Sequence, residues 1–137
     1  MRILLRKDFA EVDRLLESIR RFAAENNIGE SDAFSISVIS EELFTNTIKY
    51  NRGNRDDVCL ILQRNNSLAV VQLQDRESKP FDISKAPHID PSIVLRRGKP
   101  GLLGLHLVRQ MASDITFDHV DGVSTITVTR RLENNHA

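Results

Sequence analysis

Glu42 and Asn46 stand four residues apart in the run SEELFTNTIKY. On an α-helix, at about 100° per residue, that spacing puts both on one face, and Tyr50 extends the row. A carboxylate beside a carboxamide offers a proton acceptor and a neutral oxygen ligand for a hard cation such as Mg²⁺. The same row also reads as a solvated polar stripe opposite an apolar one. A second candidate is Gly98-Lys99-Pro100-Gly101-Leu102-Leu103-Gly104-Leu105-His106. Glycines ahead of a helix let backbone N–H groups approach an anion, and the helix N-terminus adds a favourable dipole. Arg96, Arg97 and Lys99 put cations beside the same point. The spacing is neither that of a P-loop nor that of a Rossmann fingerprint. A third candidate is Asp75, at the end of a β-prone run and followed by Arg76-Glu77-Ser78-Lys79-Pro80-Phe81-Asp82. A carboxylate there can accept a hydrogen bond from an exocyclic amine such as that of adenine, or it can belong to a charged turn.

The elements that must position these residues follow from periodicity and punctuation. Phe9, Val12, Leu15, Leu16, Ile19, Phe22 and Ala23 recur at helical spacing over residues 8–27, with Asp8 as the N-cap and Asn26-Asn27-Ile28-Gly29 as the stop. A second helix is expected after Ser31, with Phe34, Ile36, Val38, Ile39, Leu43, Phe44 and Ile48 on its apolar side, ending before Gly53. Residues 58–62 and 68–73 read as a hairpin around Asn65-Asn66-Ser67. Residues 76–101 hold all four prolines and suit a functional loop or lid. Residues 102–113 read as a third helix, and 115–120 with 123–131 as a hairpin across Asp121-Gly122. Hairpin-linked strands imply antiparallel pairing. The expected architecture is an α+β two-layer sandwich, a mostly antiparallel sheet with three helices on one face. The polar segment 133–137 reads as a frayed tail.

Composition narrows the function classes. The chain has 137 residues, 19 Lys and Arg against 19 Asp and Glu, and one cysteine. That length suits one domain, and the balanced charge argues against bulk attraction to nucleic acid or anionic membrane. Lone Cys59 excludes a disulfide framework and fits a reducing, cytoplasmic setting. No apolar run approaches the ~20 residues of a membrane span, and the N-terminus lacks a signal-peptide pattern. His88, His106 and His119 show no metal-ligand spacing, and no GxSxG nucleophile elbow occurs.

Taken in order, these segments resemble the ATP-binding domain of the GHKL superfamily, across nearly the whole chain. They are most similar to its anti-sigma-factor serine/threonine kinase branch. SEELFTNTIKY resembles the family's N box, LQDRESKPFD its first glycine box, and GLLGLHLVRQMASDITF with DGVSTITVTRRL its second glycine box, helix and closing hairpin. The resemblance implies Glu42 as catalytic base, Asn46 as Mg²⁺ ligand and Asp75 as the adenine-reading carboxylate. It further implies that Tyr50, Lys79, Phe81, Arg97, Lys99, Gly101, Leu102, Leu103, Gly104, Leu105 and Ser124 contribute to the ATP site. Two positions depart from the family pattern. Glu77, or Ser78 with one inserted residue, stands where a glycine normally follows the aspartate, and Tyr50 stands where many relatives have His.

What the resemblance implies about function is a Mg²⁺-ATP-dependent protein serine/threonine kinase. It would phosphorylate a STAS-type anti-sigma-factor antagonist, sequester a sigma factor and form a homodimer. Direct nucleic-acid or membrane binding is not expected. Two alternatives are a catalytically inactive partner-binding module and a histidine-kinase catalytic domain acting in trans.

Overall fold

The computed structural model describes residues 1–50, 56–76 and 100–133, without the side chains of Tyr50 and residues 100–105. The described elements run β1 (Arg2–Leu5), a 3₁₀ turn (Phe9–Glu11), α1 (Val12–Glu25), α2 (Glu30–Tyr50), β2 (Val58–Asn65), β3 (Leu68–Arg76), α3 (Pro100–Met111), β4 (Asp114–Val120) and β5 (Val123–Arg131). The strands form one five-stranded antiparallel sheet in the order β1-β2-β3-β5-β4. This is the α+β sandwich expected from the hairpins, with the helices on one face of the sheet.

Local chemistry explains most boundaries. Asp8 does cap the first helical segment, accepting from the Ala10 N–H at 2.9 Å, but the segment opens as a 3₁₀ turn before α1 begins at Val12. At the far end Asn27 adopts φ 55°, and Ile28 N–H reaches back to the Ala23 carbonyl at 2.9 Å. That is a Schellman-type stop with Asn in the left-handed position. The β4–β5 connection is the Asp121-Gly122 pair, at φ 53° and 77°. Positive φ at both residues matches the twist of the flanking strands.

Alternation along the strands separates the two faces of the sheet. Leu60 and Leu62 of β2, Ala69, Val71 and Leu73 of β3, and Val128 of β5 point to the helices. They close a core with Leu15, Ile19 and Phe22 of α1, Ile36, Ile39, Leu43 and Phe44 of α2, and Val108 of α3. Helix α2 is central: it packs on α1, on α3 and on β3.

Several expectations need correction. The chain opens with a strand that periodicity did not reveal: Ile3 and Leu5 are buried, and β1 pairs with β2 from Arg2↔Ile61 to Leu5↔Val58. Phe9 and Phe34, placed on the apolar faces, are 53% and 65% exposed. The 3₁₀ turn rotates Phe9 away from the stripe of α1, and Phe34 lies off the stripe formed by Ile36, Ile39 and Leu43. Helix α3 starts at Pro100 and not at Leu102, and Arg76 still belongs to β3. The rest of the expected lid, residues 77–99, lies outside the described residues, as do residues 134–137 of the tail. Glu133, placed in the tail from sequence, is held by Arg130 at 3.1 Å and through its N–H by Asp32 at 3.0 Å.

Candidate functional site

The polar row of α2 is not a solvated stripe. Asn46 follows Ile39 by seven residues and Leu43 by three, which places it on the core side of the helix, and it is only 5% exposed. Among the described residues, neither Nδ2 nor Oδ1 of Asn46 has a hydrogen-bond partner. Leaving a buried polar group unsatisfied costs about 1–3 kcal/mol. An uncompensated carboxamide at this depth fits a group that binds something from outside the chain. Its neutral oxygen suits a hard cation such as Mg²⁺.

One turn earlier, Glu42 is half-buried. Burial pushes its carboxyl above the ordinary range, Lys49 pulls it back, and the charge of Glu41 adds to the rise. A carboxylate raised by desolvation is a stronger proton acceptor once ionised, as a general base requires.

The sheet supplies a second cluster on the face that carries the core. Asp75 of β3 lies opposite Ser124 of β5, and Ser124 opposite His119 of β4. Asp75 and Ser124 are 5% and 2% exposed. His119 Nδ1 and Ser124 Oγ share a hydrogen bond of 2.9 Å. Asp75 is therefore a buried strand residue and not part of an exposed turn. Lys7, in the segment joining β1 to the 3₁₀ turn, brings Nζ to 2.7 Å from Asp75 Oδ1. Lys7 and His119 were not singled out as site residues from sequence. The His119–Ser124 pairing could have been found, because a two-residue Asp121-Gly122 turn dictates that register. No local signal marks Lys7.

At the start of α3, Pro100 takes the first helical position, where its missing N–H is of no consequence. The amides of Gly101 and Leu102 follow in the first turn, where an α-helix leaves its N–H groups without intrahelical partners. Gly104 sits one turn further in. Lys79, Phe81, Arg97 and Lys99 lie outside the described residues, as do Glu77 and Ser78. The side chains of Tyr50, Leu102, Leu103 and Leu105 are not described either. Among the described residues, no group of three or more His, Cys, Asp or Glu is arranged to hold a metal. Among the same residues, no helix is long and apolar enough to cross a membrane.

The family model of the histidine kinase-like ATPase domain matches residues 5–130. The chain belongs to that family. Membership bears out the GHKL resemblance and implies ATP as the bound nucleotide. No curated protein matches the chain significantly. Among solved structures, this histidine kinase-like ATPase domain is similar to the RsbU and RsbW domains of Rv1364c from Mycobacterium tuberculosis. The TM-score is 0.64 at 18% identity over 96% of this chain, which spans 32% of that one. It is also similar to a chain of the SiaB–SiaC complex from Pseudomonas aeruginosa, with TM-score 0.68 at 12% identity over 94% of this chain and 88% of that one. At these identities the likeness is one of fold.

Proposed function

We propose that the chain is a Mg²⁺-ATP-dependent protein serine/threonine kinase of the anti-sigma regulatory type. Its substrate would be a STAS-type anti-sigma-factor antagonist, its sequestered partner a sigma factor, and its assembly a homodimer. Family membership and the fold shared with an RsbW domain support the class. The observation that carries the chemistry is the buried, unpartnered carboxamide of Asn46, one helical turn from a half-buried Glu42 with a raised pKa.

In this reading the base of ATP meets Asp75, and Ser124 lies beside it on the neighbouring strand. The Gly101 and Leu102 amides at the start of α3 donate to phosphate oxygens. Asn46 would hold Mg²⁺, whose charge would offset that of the phosphates. Glu42 accepts the proton of the substrate hydroxyl as its oxygen bonds to the γ-phosphorus. The bond from that phosphorus to the β,γ-bridging oxygen breaks, and ADP leaves. Lys79, Phe81, Arg97 and Lys99 belong to the proposed site through the family resemblance. So do Tyr50, Leu103, Gly104 and Leu105.

The deciding experiment is calorimetric titration of the folded protein with ATP and ADP, with and without Mg²⁺. Micromolar binding strengthened by Mg²⁺ is the expected result. No detectable binding would overturn the kinase reading and leave a partner-binding module that keeps the fold.

A further inference from the structure

The carboxylate assigned to the base of the nucleotide already has a cation of the chain beside it. Lys7 Nζ lies 2.7 Å from Asp75 Oδ1, with the two side chains 6% and 5% exposed. The approach is built in, because both neighbours of Lys7 are pinned. Arg6 donates its N–H to Glu11 Oε2 at 3.0 Å, Asp8 donates its N–H to the Arg6 carbonyl at 2.8 Å, and the Asp8 side chain caps Ala10 at 2.9 Å.

The pair has a chemical consequence for recognition. A buried carboxyl stripped of its compensating cation escapes the desolvation penalty by taking up a proton. Ionised, it only accepts hydrogen bonds; protonated, it presents an O–H donor as well. The kind of base edge that Asp75 welcomes therefore depends on the charge beside it.

We propose that Lys7 is a specificity-determining residue of the base pocket: by holding Asp75 as an acceptor-only carboxylate, it makes the pocket select a purine that presents an amine. This rests on the nucleotide-binding reading above. Lys7 acts through Asp75 and is a positioning residue, not a catalytic one. Among the described residues, two further groups line up with Asp75 on the sheet. Ser124, opposite on β5, is neutral, and His119 on β4 is bonded to Ser124 Oγ and stays the same in any Lys7 variant. On α2, which packs against β3, the charged side chains of the C-terminal half are Glu41, Glu42 and Lys49.

The test compares ATP with purine riboside 5′-triphosphate, which lacks the 6-amino group, by calorimetry from about pH 6 to about pH 9. Wild type is expected to prefer ATP by about tenfold or more, evenly across that range. Lys7→Met keeps the bulk of the stem without its charge. It should lose preference for ATP, and lose more of it at the acid end of that range than at the alkaline end. Lys7→Gln leaves a donor beside the carboxylate and guards against misfolding of the Met variant; the same pH-dependent loss is expected of it. A merely structural lysine would weaken both ligands equally, with no pH-dependent ratio. If the folded variants kept the wild-type preference at every pH, the role of Lys7 would be overturned while ATP binding stood. If folded wild type bound neither triphosphate, the nucleotide reading would fall and this proposal with it.

Discussion

Arg130 and Asp32 are 98 positions apart in the chain, yet Nη2 of the arginine lies 3.1 Å from Oδ1 of the aspartate, with side chains 11% and 4% exposed. Asp32 also accepts the Glu133 N–H at 3.0 Å, and Arg130 donates to the Met111 carbonyl at 2.7 Å. One ion pair thus ties the first turn of α2 to the end of β5 and the last residue of α3. Helix α2 carries Glu42 and Asn46 further along, so the pair fixes the rod on which the site is mounted.

Breaking a buried pair by removing one partner costs about 3–5 kcal/mol, because the other charge stays buried alone. Arg130→Ala and Asp32→Ala should each lower stability by about 3 kcal/mol. Chemical denaturation would show this as a lower midpoint with an unchanged slope. Asp32→Leu combined with Arg130→Met should recover part of the loss. If either single variant matched wild type, the fastening role would be refuted.

Glu42 carries a stability cost that its proposed role explains. Its folded pKa is raised, chiefly by burial. The folded state therefore holds the proton more tightly than the unfolded state, and stability falls as pH rises from the ordinary glutamate value through the folded one. Glu42→Gln should melt higher than wild type at neutral pH, with the difference shrinking below about pH 4. The same variant should abolish phosphoryl transfer while retaining ATP binding. Transfer at the wild-type rate would remove Glu42 from the mechanism.

Asn46 makes a parallel trade. Replacing an unsatisfied buried amide with an apolar side chain of similar shape is neutral or stabilising. Asn46→Leu should leave the nucleotide-free protein as stable as wild type or about 1 kcal/mol more so, as urea unfolding would report. ATP binding by this variant should no longer respond to Mg²⁺. An unchanged Mg²⁺ response would show that the ion is held elsewhere.

Glu11 should set part of the acid limit of the fold. Hydrogen bonds from the Arg14 guanidinium and from the Arg6 backbone N–H lower its pKa from 4.5 to about 2. A depressed folded value means that its stabilisation is present above about pH 4.5 and is lost as pH falls through about 2. Glu11→Gln should therefore be less stable than wild type at neutral pH, by about 1 kcal/mol after allowance for solvent screening. Thermal melts in an acid series should show the two proteins converging. A constant gap across that series would exclude the ionised pair as its source.

Much of the fold was legible because its signals are local. The helical spacing of Leu15, Ile19 and Phe22, the Asn66-Ser67 and Asp121-Gly122 turns, and the alternation through Leu68–Arg76 each fall within a short window. Strand β1 escaped notice because Arg2–Leu5 is too short for alternation to register, and its strand character comes from pairing with Leu60 and Val58 far along the chain. The site divides in the same way. Helical geometry alone predicted that Glu42 and Asn46 share a face, but the burial of Asn46 on the core side emerged only from the packing of α2. That its amide lacks a partner depends on what surrounds it.

The order of amino acids by itself determined the main helices, the antiparallel pairing of four strands through two tight turns, and the residues proposed for ATP chemistry. Backbone periodicity, turn conformation and side-chain functional groups are properties of nearby residues. Tertiary structure alone decided that Lys7 meets Asp75, that Arg130 meets Asp32, and that Ser124 and His119 line up beside the aspartate. Each of these depends on strand register and on helix-to-sheet packing. They join segments whose separation along the chain carries no periodic trace, so they arise only when the apolar core draws the layers together.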